Sequence, residues 1–171
     1  MKGDRFEELI LPHLDDAYTL ARYLLRDEHD AQDVVQDAAL RAFKYFNSFR
    51  DGDPRAWFMV IVRNCCMTWR RRHHIDTMTV PYADDHLSAV GESPSADAAA
   101  IEQSDRAALA RVVGALPVEF REVIVLRELQ GLSYTQISEV VGVPVGTVMS
   151  RLSRARKRLA GALGIGAEEA S

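Results

Sequence analysis

The residues with the clearest chemistry lie near the end of the chain, where five basic side chains fall within eight positions with no acid among them. They are Arg151, Arg154, Arg156, Lys157 and Arg158. A helix that only faces solvent normally mixes charges of both signs, because opposite charges one turn apart stabilise it. Unpaired cations on one helix are better suited to contact phosphate groups. The run therefore favours nucleic-acid binding over a solvated surface.

The residues before and within this run predict a helix-turn-helix. Ser133 can cap a first short helix, and Gly142-Val143-Pro144 supplies a glycine that tolerates positive φ and a proline suited to a first helical turn. One side of the second helix is apolar, through Val145, Val148, Leu152, Ala155 and Leu159. The opposite side carries Met149, Ser150, Ser153, Arg154 and Lys157. Such a helix is suited to lie in a DNA major groove.

A second candidate nucleic-acid surface lies in the first half of the chain. The polar loop of residues 47–53 retains one aromatic, Phe49, and the helix that follows ends in the basic run 70–74. Single-stranded nucleic acid requires rings on which bases stack and cations that follow the phosphates. Trp57 and Trp69 are at least as well explained as core residues, whereas Phe49 is predicted to be exposed and functional.

The sequence lacks the residue patterns that enzymatic chemistry and metal binding require. Cys65 and Cys66 are neighbours, so they cannot form an ordinary disulfide, and they belong to no metal-binding spacing. The sequence has no Ser/His/Asp or Cys/His constellation, no paired carboxylates and no phosphate-binding loop. We therefore expect no catalytic residue, metal, cofactor or small-molecule substrate.

Helical periodicity predicts an all-α chain of two small domains joined by a flexible acidic linker. We divide the sequence into a first domain (1–74), a linker (75–104), a second domain (105–163) and a tail (164–171). Pro12 suggests a kink or a later start in a first helix spanning 5–25. Further helices are expected over 31–46, from Pro54 to about His74, from near Asp97 to Gly114, and from Val118 to Gln130.

The net charge of −4 hides an uneven distribution. Residues 75–105 carry seven acids and no Lys or Arg, whereas residues 106–160 carry nine basic and four acidic side chains. The second domain is therefore basic, as DNA binding requires, although the average is acidic. With no apolar run near the roughly 18 residues that span a membrane and no signal-peptide core, we expect a cytoplasmic protein without membrane insertion.

Two stretches resemble defined regions of bacterial RNA polymerase sigma factors. DAQDVVQDAALRAF (30–43), Phe49-Arg50 and RAWFMVIVRN (55–64) resemble region two. ALPVEFREVIVLR (115–127), with residues 131–134 and 145–156, resembles region four. The order, the separation and the lack of a domain between them resemble the extracytoplasmic-function (ECF) subfamily of the sigma-70 family. The resemblance covers nearly the whole chain except the linker and termini.

The resemblance implies a protein that binds core RNA polymerase, directs it to specific promoters and promotes DNA melting. In the family, the second helix of region two binds the polymerase clamp helices, which carries over to Asp33, Gln36 and Asp37. The loop after it captures a base flipped from the minus-ten element. The matching residues here are Phe49 and Arg50, which would form the walls of the pocket, and Arg41 and Asn64, which would lie beside it. Arg63 and Arg70 would contact backbone phosphates.

For region four, the resemblance implies that the second helix contacts the minus-thirty-five element. Base edges would be met by Met149, Ser150, Ser153 and Arg154, and phosphates by Arg151, Arg156 and Lys157. Met149 departs from the family pattern, in which Lys or Arg is frequent, so an apolar contact with a thymine methyl would replace a hydrogen bond at that position.

The resemblance also implies regulation, and it leaves two questions open. Family members are commonly held inactive by an anti-sigma factor and serve stress or envelope responses. The acidic linker could imitate nucleic acid in the polymerase or act only as a solvated spacer. From the residues alone, the alternative is a self-sufficient helix-turn-helix repressor or activator whose N-terminal helices sense a signal or form a dimer.

Overall fold

The computed structural model describes residues 1–73 and 98–164, and every element within them is helical. The predicted all-α class is confirmed. Most of the predicted linker and all but the first residue of the predicted tail lie outside the described residues. A helix begins at Ala98, close to the start expected near Asp97 and within the range 75–104 that we assign to the linker.

The N-terminal module consists of four helices. They are α1 (Lys2–Leu9), α2 (Leu14–Leu25), α3 (Glu28–Tyr45) and α4 (Pro54–Arg72), with short 3-10 turns at Leu11–His13 and Phe46–Ser48. The single helix expected over 5–25 is divided at Pro12, since proline lacks the amide N–H that a continuous helix needs. Asp53 accepts a hydrogen bond from the Arg55 N–H at 3.0 Å, so α4 begins at the predicted Asp-Pro cap.

The C-terminal module also consists of four helices. They are α5 (Ala98–Ala115), α6 (Val118–Ile124), which continues as a π-helical turn (Val125–Leu129), α7 (Tyr134–Val141) and α8 (Val145–Ala162). Ser133 and Gln136 form a reciprocal capping box at the start of α7. Gly142 ends α7 with φ +75°. The predicted helix-turn-helix is confirmed in its cap, its turn and both helices.

The two modules pack against each other, mainly through α4 on α7 and α2 on α6. Their buried apolar side chains form one continuous cluster, in which Phe58 and Val62 of α4 are as fully buried as Ile137 of α7. The sequence did not predict this arrangement. The packing of the two modules places the two candidate nucleic-acid surfaces within one compact body.

Candidate nucleic-acid interfaces

The exposed side of α8 is built as the sequence pattern predicts. Val148, Leu152 and Ala155 are buried against the module. Met149 on the opposite side is 52% exposed. Ser150, Ser153, Arg154 and Lys157 are exposed on the same side. The fold therefore presents the predicted base-contacting set together on one face, away from the protein core.

The cations of α8 differ in their partners, which the local sequence could not show. Arg156 donates to Glu128 Oε1 from Nη2 at 2.6 Å and from Nε at 3.0 Å, and these hydrogen bonds raise the pKa of Arg156. Arg158 lies over the Phe120 ring, 4.9 Å from its centroid. Arg154 and Lys157 are exposed, and neither forms an ion pair within residues 1–73 and 98–164. These two cations are available for an external anion.

Phe49 is buried, so the prediction of an exposed ring is wrong. Its side chain is 7% exposed, stacks on Phe46 at a centroid distance of 6.0 Å, and contacts Trp57 at 5.4 Å. The 3-10 turn before it folds the loop back onto α4, where an aromatic cluster covers the ring. The adjacent Arg50 is exposed. In this conformation the loop offers a cation at its surface and no free ring from Phe49.

A cleft between α3 and α4, with a volume of about 390 Å³, brings together residues from two predicted sets. Asp33 and Asp37, predicted for polymerase contact, line it with Arg41 and Asn64, predicted for the minus-ten element. Arg41 Nε donates to Asp37 Oδ2 at 2.9 Å, and both side chains are more than half exposed. The cleft could therefore present hydrogen-bonding groups and charges of both signs to a partner.

Two aromatic residues also line this cleft: Tyr45, which sequence reasoning missed, and Trp69, which it left open between core packing and nucleic-acid contact. Tyr45 is 55% exposed one turn after Arg41 on α3, and Trp69 stacks on His73 with ring centroids 3.9 Å apart. Helical spacing indicates their place in the cleft, since Tyr45 follows Arg41 on α3 and Trp69 follows Asn64 on α4. Aromatic surface beside cations is the combination that single-stranded nucleic acid requires.

Arg63 and Arg70, predicted to face outward and hold phosphates, are engaged inside the protein. Arg63 donates to both carboxylate oxygens of Glu122 on α6, at 2.9 and 3.2 Å. Arg70 is 4% exposed and donates to the Leu24 carbonyl at 2.6 Å. The expectation of outward-facing side chains is thus corrected for both in this arrangement, because polar groups of α2 and α6 lie against α4.

Among residues 1–73 and 98–164, no helix combines the length and apolarity that crossing a bilayer requires. The same residues contain no group of three or more His, Cys, Asp or Glu side chains placed to hold a metal ion.

Two family models match the chain, one on each module. Sigma-70 region 2 matches residues 9–74, and the region 4 model of the same family matches residues 106–159. The chain is 38% identical over 165 residues to the ECF RNA polymerase sigma factor SigM of Mycobacterium tuberculosis, covering 95% of this chain and 80% of that protein. It is 34% identical over 155 residues to SigE of Mycolicibacterium smegmatis, covering 90% of this chain and 60% of that protein.

Solved structures give the same result at the level of the fold. The sigma factor RpoE of Bartonella quintana, in complex with the anti-sigma factor NepR, superposes with a TM-score of 0.76 at 25% identity, covering 94% of this chain and 98% of that one. CnrH, in complex with the cytosolic domain of CnrY, gives a TM-score of 0.64 at 29% identity, covering 93% and 87%. The chain belongs to the ECF family of RNA polymerase sigma factors. Its members are transcription initiation factors, which act as promoter-specificity subunits of RNA polymerase.

Proposed function

We propose that this sigma factor contacts core RNA polymerase through the outer face of α3 and contacts promoter DNA through α8 and the α3–α4 cleft. One observation supports the proposal most directly: the two matched regions lie in order on two helical modules. Each module presents exposed charged residues suited to its proposed partner. Asp33, Gln36 and Asp37 are exposed on α3, where they offer acids and an amide to a basic partner helix. The polypeptide itself catalyses no reaction in this scheme.

Contact with the minus-thirty-five element falls to the exposed side of α8. Arg154 is the residue best placed to donate to a base edge, since it is exposed and has no carboxylate partner among the described residues. A good bidentate contact is worth roughly 1–3 kcal/mol of discrimination between bases. Met149 supplies an apolar contact, Ser150 and Ser153 add short hydroxyl groups, and Lys157 holds a phosphate.

Base capture from the minus-ten element falls to the α3–α4 cleft and the adjoining loop. Extruding a base costs a few kcal/mol, which a pocket must offset by stacking and edge hydrogen bonds. Arg41 and Asn64 supply donors, and Tyr45 adds ring surface. Phe49 supports the loop that carries Arg50, with its ring held by Phe46 and Trp57. Its place as a wall of the pocket would require the loop to move.

We further infer that the protein acts in the cytoplasm. We infer also that an anti-sigma factor regulates it in a stress or envelope response. One solved relative with this fold, RpoE, is bound to the anti-sigma factor NepR, and another, CnrH, is bound to the cytosolic domain of CnrY. The exposed acids and aromatic surface of the α3–α4 cleft are accessible to such a partner in this arrangement. Binding there would compete directly with polymerase and promoter.

The test is transcription in vitro from fragmented genomic DNA, with core polymerase alone, this protein alone, and both. We expect a set of RNA 5′ ends that arises only from the mixture, preceded by two shared sequence elements. The same ends with core polymerase alone would contradict the proposal. Tight, dimeric binding to one duplex site without polymerase would support the repressor or activator alternative instead.

A further inference from the structure

Arg156 on α8 has a carboxylate partner at the surface of its own module. Glu128 Oε1 accepts from Arg156 Nη2 at 2.6 Å and from Nε at 3.0 Å. The side chains of Arg156 and Glu128 are 47% and 48% exposed. An ion pair this exposed contributes little to folding stability, because water and salt screen its charges. Stabilisation of the fold is therefore at most a small part of what this pair does.

Both hydrogen bonds fall on one edge of the Arg156 guanidinium. Nε–H and the neighbouring Nη2–H donate to the same carboxylate oxygen. A guanidinium holds five N–H donors in a rigid plane, so the edge formed by its two terminal nitrogens keeps donors that Glu128 does not use. That edge is suited to a bidentate contact with the oxygens of a phosphate. Glu128 therefore holds Arg156 and still leaves a phosphate-binding edge.

Glu128 reaches α8 from the π-helical turn of Val125–Leu129. The Gln130 N–H donates to the Val125 carbonyl at 3.1 Å, five positions earlier in the chain. Such a turn contains one residue more than an α-helical turn, which changes the direction of the side chains that follow, and these turns are frequent at functional sites. The irregular element thus carries the side chain that contacts the DNA-facing helix.

Two neighbours restrict how the pair can move. Arg127 donates to the Leu132 carbonyl at 2.9 Å, which joins the π-helical turn to the loop before α7. The same guanidinium lies over the Tyr134 ring, 4.7 Å from its centroid. The hydrogen bonds to Glu128 raise the pKa of Arg156; burial opposes this effect, and Tyr134 adds to it. The carboxylate therefore lies on a part of the fold that is joined to both helices of the helix-turn-helix.

We propose that Glu128 is a positioning residue for duplex binding: it holds Arg156 so that the remaining edge of the guanidinium contacts a phosphate beside the minus-thirty-five element. This inference rests on the proposed contact of α8 with that element, and it adds a residue outside α8 that controls the contact. A side chain already held in place loses less conformational freedom on binding. This gain must exceed the repulsion between the carboxylate and the DNA backbone.

The sign of the effect of Glu128→Ala separates positioning from simple charge. A carboxylate that only repels DNA would give tighter binding when it is removed. We expect the opposite, with occupancy of the upstream element about fivefold weaker, within the range of coupling between residues in contact. The slope of log affinity against log salt should fall by about 1, as for Arg156→Ala. Footprinting of the reconstituted holoenzyme on mapped promoters, over a salt series, measures both quantities.

Glu128→Gln is the conservative variant. Its amide oxygen can accept both hydrogen bonds that Oε1 accepts, and the negative charge is removed. Binding should therefore be at least as tight as in wild type. The matched control is Glu139→Ala, which removes an exposed acid from α7 and should not weaken binding. Equal losses for Glu128→Ala and Glu128→Gln would overturn the proposal.

The double variant Glu128→Ala/Arg156→Ala identifies the residue through which Glu128 acts. Once Arg156 is removed, loss of Glu128 should no longer weaken binding. An equal loss in both backgrounds would overturn the proposal. Thermal unfolding should be nearly the same for all variants of this pair, because the pair is exposed. Weaker DNA binding would then not result from unfolding.

Two failures can be told apart with the same holoenzyme. If the wild type protects an upstream element and Glu128→Ala protects it equally well or better, the positioning role is refuted while the proposed function stands. If the wild type protects no upstream element and starts no transcription with core polymerase, the proposed function itself is refuted.

Discussion

At the scale of single residues, the sequence predicted the face of α8 and failed for side chains whose partners lie in other elements of the fold. Arg154 and Met149 follow from helical spacing, which local sequence carries. Phe49 was misplaced because a ring in a polar loop can be covered only by residues elsewhere, here Phe46 and Trp57. Arg63 was misplaced because its carboxylate partner lies 59 positions away.

Arg154 and Lys157 should respond differently to removal, since one is proposed for a base and the other for a phosphate. We expect Arg154→Ala to lower occupancy of the upstream element by about tenfold and to reduce discrimination between bases at one position. Lys157→Ala should weaken binding equally on all sequences and lower the slope of log affinity against log salt by about 1. Footprinting on promoter mutants over a salt series measures both. Identical effects of the two substitutions would be inconsistent with these roles.

Phe49→Ala should now affect stability as well as promoter opening. The ring is buried in an aromatic cluster, so truncation should cost about 3 kcal/mol of unfolding free energy. Tyr45→Ala is the matched control, because its ring is 55% exposed and its removal should leave stability nearly unchanged while impairing melting. Urea unfolding and permanganate reactivity separate the two quantities. A stable Phe49→Ala protein would contradict the buried position.

Cys66 gives the fold a specific dependence on alkaline pH. Burial raises the pKa of its thiol from 9.0 to about 12. Above pH 9 the unfolded chain therefore loses a proton that the folded chain retains, and stability must fall by up to about 1.4 kcal/mol per pH unit from this group. Cys66→Ala should show a shallower decline between about pH 9 and pH 10.5 in urea unfolding. Equal slopes for both proteins would contradict a buried thiol.

At the scale of elements, caps and turns were predictable because their chemistry is local. Asp53-Pro54, the Ser133 cap and the Gly142 turn all lie where the sequence places them. The π-helical turn of Val125–Leu129 was not predicted. Its residues carry an ordinary helical pattern. Nothing in the local sequence distinguishes the hydrogen-bond pattern of a π-helix from that of an α-helix.

Two glycines offer a matched test of the helix-turn-helix. Gly142 has φ +75° with no atom within 4 Å of an added Cβ, so Gly142→Ala should destabilise by about 1 kcal/mol through backbone strain alone. Gly146 lies inside α8 with similar open space, so Gly146→Ala should stabilise by roughly 0.5–1 kcal/mol. Thermal unfolding gives both values. The same sign for the two substitutions would contradict the assigned turn.

At the scale of the whole molecule, local sequence patterns could not predict how the modules pack. Each module was expected from its own periodicity, but the contact between them depends on side chains that look like ordinary helix surface. Glu122 follows Arg121 within an apolar stretch, and both are buried, at 2% and 4% exposure. Their partners are the guanidinium of Arg63 and a backbone carbonyl of α2, which no motif records.

Promoter melting by this chain should require RNA polymerase. Permanganate reactivity of thymines in the minus-ten element of a mapped promoter tests it most directly, using core polymerase, this protein, and their mixture. We expect reactive thymines in the mixture alone. Reactive thymines with either component by itself, or none in a mixture that still transcribes that promoter, would contradict it.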